Sequence, residues 1–323
     1  MWLHRYAKFV SAATVLLIVA GGLVTSTGSG LAVPDWPTSY GWNMFTFPMQ
    51  HMVGGIFYEH GHRLIASGVG FLTIILALWV WKAEPRRWMR VLGFTALGAV
   101  CVQGLLGGIT VLYFLPTPVS TAHAGLAQIF FCLTIAIALF TSRGWARPER
   151  GPVDDRMLRI VATTTTVFIY LQIIVGATMR HSDAGLAIPD FPLVFGGLFP
   201  PEWTAAIAIH YTHRVGAALV TLAIAATACH VWYHHRDRTE LKRPAGLLVM
   251  LVLTQVTLGA FVIWSEKNVA INTAHVVVGA LTLATSLVLT LRTYRVRFGD
   301  TASVAVRVRP PVASHLGRSG AHA

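Results

Sequence analysis

Eight long apolar runs restrict this 323-residue chain to one class of fold. A helix that crosses a bilayer needs roughly 20 mostly apolar residues. Only 12% of the residues are charged, against the roughly 25% that is usual in soluble domains. The sequence therefore predicts an all-α polytopic membrane protein with eight transmembrane helices. We place these helices at about 8–27, 62–82, 91–113, 120–141, 157–179, 205–232, 245–264 and 270–291.

Basic side chains are concentrated on one side of the predicted membrane domain. Of 25 Lys and Arg residues, 21 fall at the termini or in every second loop between consecutive helices. If the helices cross the membrane in alternating directions, the termini and these loops lie on the same side of the membrane. These places are the N-terminus, the segments 82–90, 143–159 and 236–243, and the tail from Arg292. The positive-inside rule then predicts that both termini are cytoplasmic. We attribute the net charge of +12 to topology and to contact with the lipid bilayer, and predict no nucleic-acid binding.

The two halves of the chain repeat the same motifs in the same order. LAVPDWP at 31–37 returns as LAIPDFP, HRLIAS at 62–67 as HRVGAA, QGLLGGITV at 103–111 as QVTLGAFVI, and TAH at 121–123 as TAH. Four pairs at a nearly constant offset indicate an internal duplication. Each copy contains four helices, and an even number leaves both copies in the same orientation. The sequence therefore predicts two tandem four-helix bundles related by a pseudo-twofold axis along the membrane normal.

This repeat divides the chain into four parts. We expect a first bundle in 1–142, a cytoplasmic linker in 143–156, a second bundle in 157–292 and a cytoplasmic tail in 293–323. The composition of the tail is typical of disorder. Two long loops on the other side of the membrane, at about 28–58 and 180–204, are rich in Gly, Pro and aromatic residues. Such loops favour the membrane interface, where they would cover the outer mouth of each bundle.

Only two positions are histidine in both copies, although the chain has 14 histidines. His62 and His213 open the second helix of each copy, and His123 and His275 open the fourth. Each bundle can therefore direct two imidazoles at each other across its core, as axial ligands of a haem iron do. Copper or zinc would require further ligands, and neither copy offers one at equal depth. Hydrogen-bonded helix-end histidines are the alternative for these four, and structural or solvated roles are expected for the others, among them His230, His234 and His235.

The copies differ beside the first of these histidines. Glu59 lies three residues before His62, so on a helix both side chains face the same way, and the second copy has His210 in place of this carboxylate. An acidic group near a membrane cofactor is costly and usually functional, so we expect Glu59 to be catalytic. The alternatives are a hydrogen bond that orients the ligand or a charge near a helix N-terminus. Arg63 and Arg214 fit either haem propionates or lipid headgroups.

With these residues the chain resembles the haem A synthase family, the CtaA and Cox15 group. The resemblance covers about residues 8–291. It depends on EHGHR at 59–63, the matching HYTHR, the two TAH helix starts, and the loop segments GLAVPDWP and GLAIPDFP. One departure is that both long outer loops lack the cysteine pair that some members carry. A thiol step or loop disulfide therefore cannot operate in those loops.

The resemblance implies an oxidoreductase of the bacterial plasma (inner) membrane that converts haem O to haem A. The C8 methyl of haem O would become a formyl group through a hydroxymethyl stage. The second bundle would hold haem b on His213 and His275, and the first would bind the substrate haem through His62 and His123, with Glu59 needed for turnover. Haem O synthase and cytochrome oxidase assembly factors are the implied partners, and a homo-oligomer is compatible with the sequence.

Two other functions use some of the same features. A bis-haem b electron-transfer cytochrome needs the four histidines but no substrate. Its haems usually lie at different depths, whereas all four histidines here lie near one face. A transporter with duplicated bundles would show broken helices with polar residues at the midplane, and the sequence has little of either.

Overall fold

The structure is a computed structural model that describes residues 1–146, 151 and 153–295. This part of the chain contains eight helices that are long and apolar enough to cross a membrane. They are α1 Trp2–Ser26, α2 Gly55–Ala83, α3 Arg87–Leu112, α4 Thr117–Phe140, α5 Arg156–His181, α6 Ala205–His234, α7 Thr239–Trp264 and α8 Val269–Thr293. The prediction of an all-α protein with eight membrane-spanning helices is thus confirmed. The predicted tail falls almost entirely outside the described residues.

Several helices extend beyond the apolar runs from which they were predicted. The largest difference is in α2, which begins at Gly55 rather than near residue 62. The extra turns contain Glu59 and Arg63, which form an ion pair within the helix. Because Glu59 and Arg63 neutralise each other, the helix continues through a polar stretch that hydropathy alone assigns to a loop. The histidines of this stretch therefore lie inside the helix and not at its first residue.

The helices pack in two rings of four, as expected for two bundles. In the first ring, α1 contacts α2 and α4, and α3 contacts the same two helices. In the second ring, α5 contacts α6 and α8, and α7 contacts the same two. The rings meet through α1, α4, α5 and α8. Consequently α2 and α4 occupy opposite corners of the first bundle, and α6 and α8 occupy opposite corners of the second.

Buried apolar side chains fill the half of each bundle that lies nearer the N-terminus and the last residue of α8. In the first bundle this cluster includes Leu76, Met89 and Ile137, and in the second it includes Ile224 and Leu248. We call this side the terminal face, and the opposite side, which carries the two long loops, the loop face. The four repeated histidines and Glu59 lie in the loop-face half, so the apolar clusters anchor the helices from which these side chains project.

Small residues allow the two bundles to approach closely. A Cβ atom on Gly125 of α4 would lie 2.6 Å from Cδ1 of Ile174 on α5, and one on Gly22 of α1 would lie 3.1 Å from Cγ2 of Thr273 on α8. In lipid, such close contact between helices replaces the hydrophobic effect as a source of association. The guanidinium of Arg180 adds hydrogen bonds across this interface, to the carbonyl of Gly22 and the hydroxyl of Ser26.

Replacing Gly125 by Leu should therefore destabilise the interface between the bundles. Overpacking of a close contact costs about 1–3 kcal/mol. We expect a lower thermal unfolding midpoint for the purified protein in detergent. Gly98→Leu is the matched control, because a Cβ at this exposed position meets no atom within 4 Å. Equal midpoints for the two variants would contradict the assignment of this contact.

Candidate functional site

The four repeated histidines lie at matched depth inside their helices. His62 and His213 come seven and eight residues after the first residues of α2 and α6. His123 and His275 each come six residues after the first residues of α4 and α8. All four are therefore about two turns from the loop face, slightly deeper than the sequence predicted.

The helix packing places two of these histidines in each bundle. His62 lies on α2 and His123 on α4, which occupy opposite corners of the first bundle. His213 on α6 and His275 on α8 have the same relationship in the second bundle. This arrangement is compatible with the pairing that the repeat predicts.

Each imidazole packs against a glycine of a neighbouring helix. A Cβ atom on Gly21 would lie 3.2 Å from Nε2 of His62, and one on Gly107 would lie 3.1 Å from Cε1 of His123. In the second bundle, Gly176 would bring a Cβ within 2.8 Å of Cε1 of His213, and Gly259 would bring one within 3.3 Å of Cε1 of His275. A side chain at any of these positions would push the ring away from its place. These glycines therefore form a cradle for each imidazole.

Some ring nitrogens have no hydrogen-bond partner among the described residues, whereas Nε2 of His123 and Nε2 of His275 lie 3.4 and 3.3 Å from the carboxamide nitrogens of Gln103 and Gln255. Nδ1 of His123 and Nδ1 of His275 are buried without a hydrogen bond, although buried polar atoms are usually paired. Among the described residues none donates to or accepts from the ring of His62. Two imidazoles on opposite helices of a four-helix bundle fit the axial ligation of a haem iron. In the described part of the chain, the only cluster of three or more His, Cys, Asp and Glu side chains able to share one ion lies elsewhere.

Glu59 is 3% exposed and makes two short contacts. Its Oε2 accepts a hydrogen bond from the backbone N–H of Val33 at 2.8 Å, and its Oε1 accepts one from Arg63 at 2.6 Å. In the second copy, Nδ1 of His210 accepts a hydrogen bond from the backbone N–H of Ile188 at 3.2 Å. Val33 and Ile188 are equivalent positions of the repeated loop motif. Glu59 and His210 therefore hold the same point of the loop, and only Glu59 does so with an acidic group.

The arginines that follow the histidines also bind the loops. Arg63 donates to the carbonyls of Val33, Asp35 and Thr38 at 2.7, 2.7 and 3.0 Å. This guanidinium thus fixes the first outer loop, and the propionate and headgroup contacts considered from the sequence stay predictions. Because Arg63 and Glu59 are both largely buried, removing one partner would leave an uncompensated charge, at a cost of about 3–5 kcal/mol.

Arg214 does the same in the second copy with fewer bonds. It donates to the carbonyls of Leu193 and Ile188 at 2.9 and 3.0 Å, which are equivalent to Thr38 and Val33. Its guanidinium also lies 5.8 Å from the ring centre of Phe191. In the described part of the chain, no carboxylate oxygen lies within ion-pair distance of Arg214, as Glu59 does of Arg63.

Asp35 stabilises the first loop from within. Its carboxylate accepts hydrogen bonds from the N–H groups of Tyr40 and Gly41 and from the hydroxyl of Thr38. Burial opposes ionisation of this group, but these bonds outweigh it and lower the pKa of Asp35 to about 2. The aspartate is therefore charged throughout the physiological range, and the loop keeps this turn at any pH at which the protein works.

Gln172 is a site residue that the sequence analysis missed. Its carboxamide nitrogen lies 2.9 Å from Nδ1 of His213 and donates to the carbonyl of the same residue at 2.7 Å. The close packing needs Gly216, where a Cβ would lie 2.1 Å from Oε1 of Gln172. By the offsets of the repeat, the first copy has Leu17 and Ile65 at these positions. His213 is thus held by a polar side chain, and His62 is not.

The glycine cradles could have been found from the sequence. Gly107 and Gly259 lie in the repeated QGLLGGITV and QVTLGAFVI segments, and Gly21 and Gly176 are separated by the 155-residue offset of the loop motif. Gln172 could not be found in this way, because it breaks the repeat. A search for shared positions discards a residue that only one copy has.

Comparison with known proteins identifies the family. Residues 4–287 match the COX15-CtaA family, described as "Cytochrome oxidase assembly protein". This chain belongs to that family. A "Heme A synthase" of Geobacillus kaustophilus is 29% identical over 84% of this chain and 87% of its own length. A protein of the same name from Alkalihalophilus pseudofirmus is 26% identical over 85% of this chain and 92% of its own length. Another, from Symbiobacterium thermophilum, is 28% identical over 84% of this chain and 89% of its own length.

The arginine contacts predict that each loop depends on its own bundle. In Arg63→Met, we expect backbone amides of residues 33–41 to exchange hydrogen at least about tenfold faster, because the loop loses its carbonyl contacts and opens locally. Amides of 188–197 should not change. The reciprocal variant Arg214→Met should accelerate only 188–197. Hydrogen exchange followed by mass spectrometry measures both loops in one sample, and acceleration of both loops by either variant would contradict this assignment.

Proposed function

We propose that this protein is a haem A synthase, an oxidoreductase that converts the C8 methyl of haem O to a formyl group through a hydroxymethyl intermediate. The observation that carries the proposal is the duplicated pair of glycine-backed imidazoles with different neighbours in the two bundles. The family match and the relatives named "Heme A synthase" support it. A protein that bound the same haem in both bundles would not need different residues around the histidines of the two bundles.

In this proposal the second bundle holds haem b on His213 and His275. Gln172 supports the assignment, because a ligand whose ring is held by a neighbour is suited to a permanently bound group. His62 lacks such support, since Leu17 and Ile65 offer no hydrogen bond. A less constrained ring suits a site that must accept a substrate haem and release a product haem. The first bundle is therefore assigned to haem O, with His62 and His123 as its ligands.

The overall reaction needs an electron acceptor and a place for protons. Written with water as the oxygen source, the methyl group and one water give the formyl group, four protons and four electrons. The bound haem supplies the redox chemistry, and an external electron acceptor takes the electrons. The residues of the chain orient the macrocycle, exclude bulk water and receive protons. Glu59 is the candidate proton acceptor, because within α2 it is the acidic side chain nearest to His62 in sequence.

The Glu59–Arg63 pair links this role to the loop. When Glu59 accepts a proton, its attraction for Arg63 weakens, and the loop that covers the first bundle loses part of its anchor. The corresponding His210 bears no such charge. The first bundle can thus couple proton uptake to loop contact, and the second bundle keeps its loop in place.

The membrane setting follows the charge distribution. We place the terminal face in the cytoplasm and the loop face on the outer side of a bacterial inner membrane. Haem O is apolar along its farnesyl chain, so it would reach the first bundle from the bilayer or from the enzyme that makes it. Haem O synthase and cytochrome oxidase assembly factors are accordingly the proposed partners.

Expression with and without a source of haem O tests the proposed reaction. We expect extracted pigments to contain haem A only when haem O is supplied, together with haem b in both cases. Quantitative chromatography of the extracted haems measures this. Two b haems per chain under both conditions, with no haem A, would support an electron-transfer cytochrome instead.

Glu59→Gln separates the two roles of this residue. The glutamine keeps an oxygen that can accept the Val33 N–H but cannot accept a proton at neutral pH. We expect haem content close to that of the unmodified protein and at least about a hundredfold less haem A, in line with loss of general base catalysis. His210→Gln, which alters the equivalent contact in the second bundle, is the matched control and should retain activity. Full activity of Glu59→Gln would show that the residue is only a loop anchor.

A further inference from the structure

Three ligand atoms converge on the terminal face, far from the paired histidines. Nε2 of His230 and Nε2 of His235 each lie 2.8 Å from the same oxygen, Oδ2 of Asp155. All three atoms lie within 4.8 Å of one another. The side chains are 13–18% exposed, so the group is mostly shielded but open to solvent on one side.

The local fold holds these atoms in position. Asp155 is the N-cap of α5, and its other oxygen, Oδ1, accepts a hydrogen bond from the N–H of Leu158 at 2.8 Å. His230 lies in the last turns of α6, and His235 follows the helix directly, where its N–H bonds the carbonyl of Val231 at 2.9 Å. Because the chain leaves the helix at this residue, His235 turns back toward Asp155. The cluster therefore joins the start of α5 to the end of α6.

The charges around the cluster permit a cation. Arg159 is 3.7 Å from Asp154, and Arg238 is 3.6 Å from Glu240, so these two guanidinium groups have acidic partners. A cleft of about 250 Å³ borders His235 and is also lined by His234, Arg236, Asp237 and Arg238. An ion can reach His235 from this side.

We propose that Asp155, His230 and His235 bind a divalent transition-metal ion of the zinc type, with water as the fourth ligand. Two imidazole nitrogens and one carboxylate oxygen are a common zinc donor set, whereas Mg²⁺ and Ca²⁺ prefer oxygen ligands. In a tetrahedral site with bonds of about 2.0–2.2 Å, ligand atoms lie about 3.3–3.5 Å apart. Each histidine nitrogen would need to move away from Oδ2 of Asp155 by less than about 1 Å to reach this spacing from the carboxylate oxygen.

Hydrogen bonding without a metal is the competing explanation. In that case both imidazoles donate an N–H to the same carboxylate oxygen, and the cluster simply fastens the linker to α6. The two explanations differ in the state of Nε2 of His230 and Nε2 of His235. Each nitrogen bears a proton in the hydrogen-bonded cluster and offers a lone pair to the ion in the metal site. Metal binding would displace these protons, so direct metal measurement separates them.

The test uses the full-length protein in detergent, stripped with a chelator and dialysed against micromolar Zn²⁺. We expect one zinc per chain by elemental mass spectrometry, and affinity at least about a hundredfold weaker in His230→Gln/His235→Gln, which removes two of three protein ligands. His51→Gln, on the loop face, is the matched control and should bind as the unmodified protein does. No bound zinc, or binding unchanged in the double variant, would overturn the proposal.

A second measurement needs no variant. X-ray absorption at the zinc edge of the unmodified protein should show a shell of nitrogen and oxygen with the scattering of two imidazoles. A shell that contains sulfur, or that lacks imidazole, would overturn the proposal even if the double variant does not fold. A loss of zinc in the variant together with the two-imidazole shell would establish the site.

Discussion

The contact between an imidazole and a glycine is the constraint on which the arrangement depends. Four helices each present one histidine, and four neighbouring helices each present a glycine where any side chain would strike the ring. Close-packed interiors do not absorb an extra atom without displacement. The positions of the imidazole rings therefore depend on how closely the helices approach each other. In the first bundle these are the distances from α1 to α2 and from α3 to α4, and the second bundle has the equivalent distances.

The loops are a second layer built on the same helices. Residues 59 and 63 in the first copy, and 210 and 214 in the second, lie within one turn of the paired histidines and hold the outer loops. A change at the loop is therefore transmitted to the helix that carries His62 or His213. Glu59 forms an ion pair with Arg63 in the first bundle, whereas the equivalent His210 carries no carboxylate, and this difference is the basis for proposing that the chemistry takes place in the first bundle.

Much of this arrangement could be predicted from the sequence. Hydropathy predicted eight helices, and the repeat selected His62, His123, His213 and His275 from 14 histidines. The start of α2 was predicted too late, because the Glu59–Arg63 pair allows a helix where hydropathy falls. Gln172 and the Asp155 cluster were missed for a different reason. Gln172 has no counterpart in the first copy, and Asp155 is 75 residues from His230, a separation that no local motif can reveal.

The central claim is that the two histidine pairs bind haems of different kind. It is tested most directly by the haem composition and electron paramagnetic resonance of His123→Ala and His275→Ala, purified from cells that make haem O. We expect His123→Ala to keep haem b with a low-spin bis-imidazole signal and to lose haem O and haem A. We expect His275→Ala to lose that haem b signal. The same haem composition and the same spectrum in both variants would show that the two histidine pairs do not bind different haems.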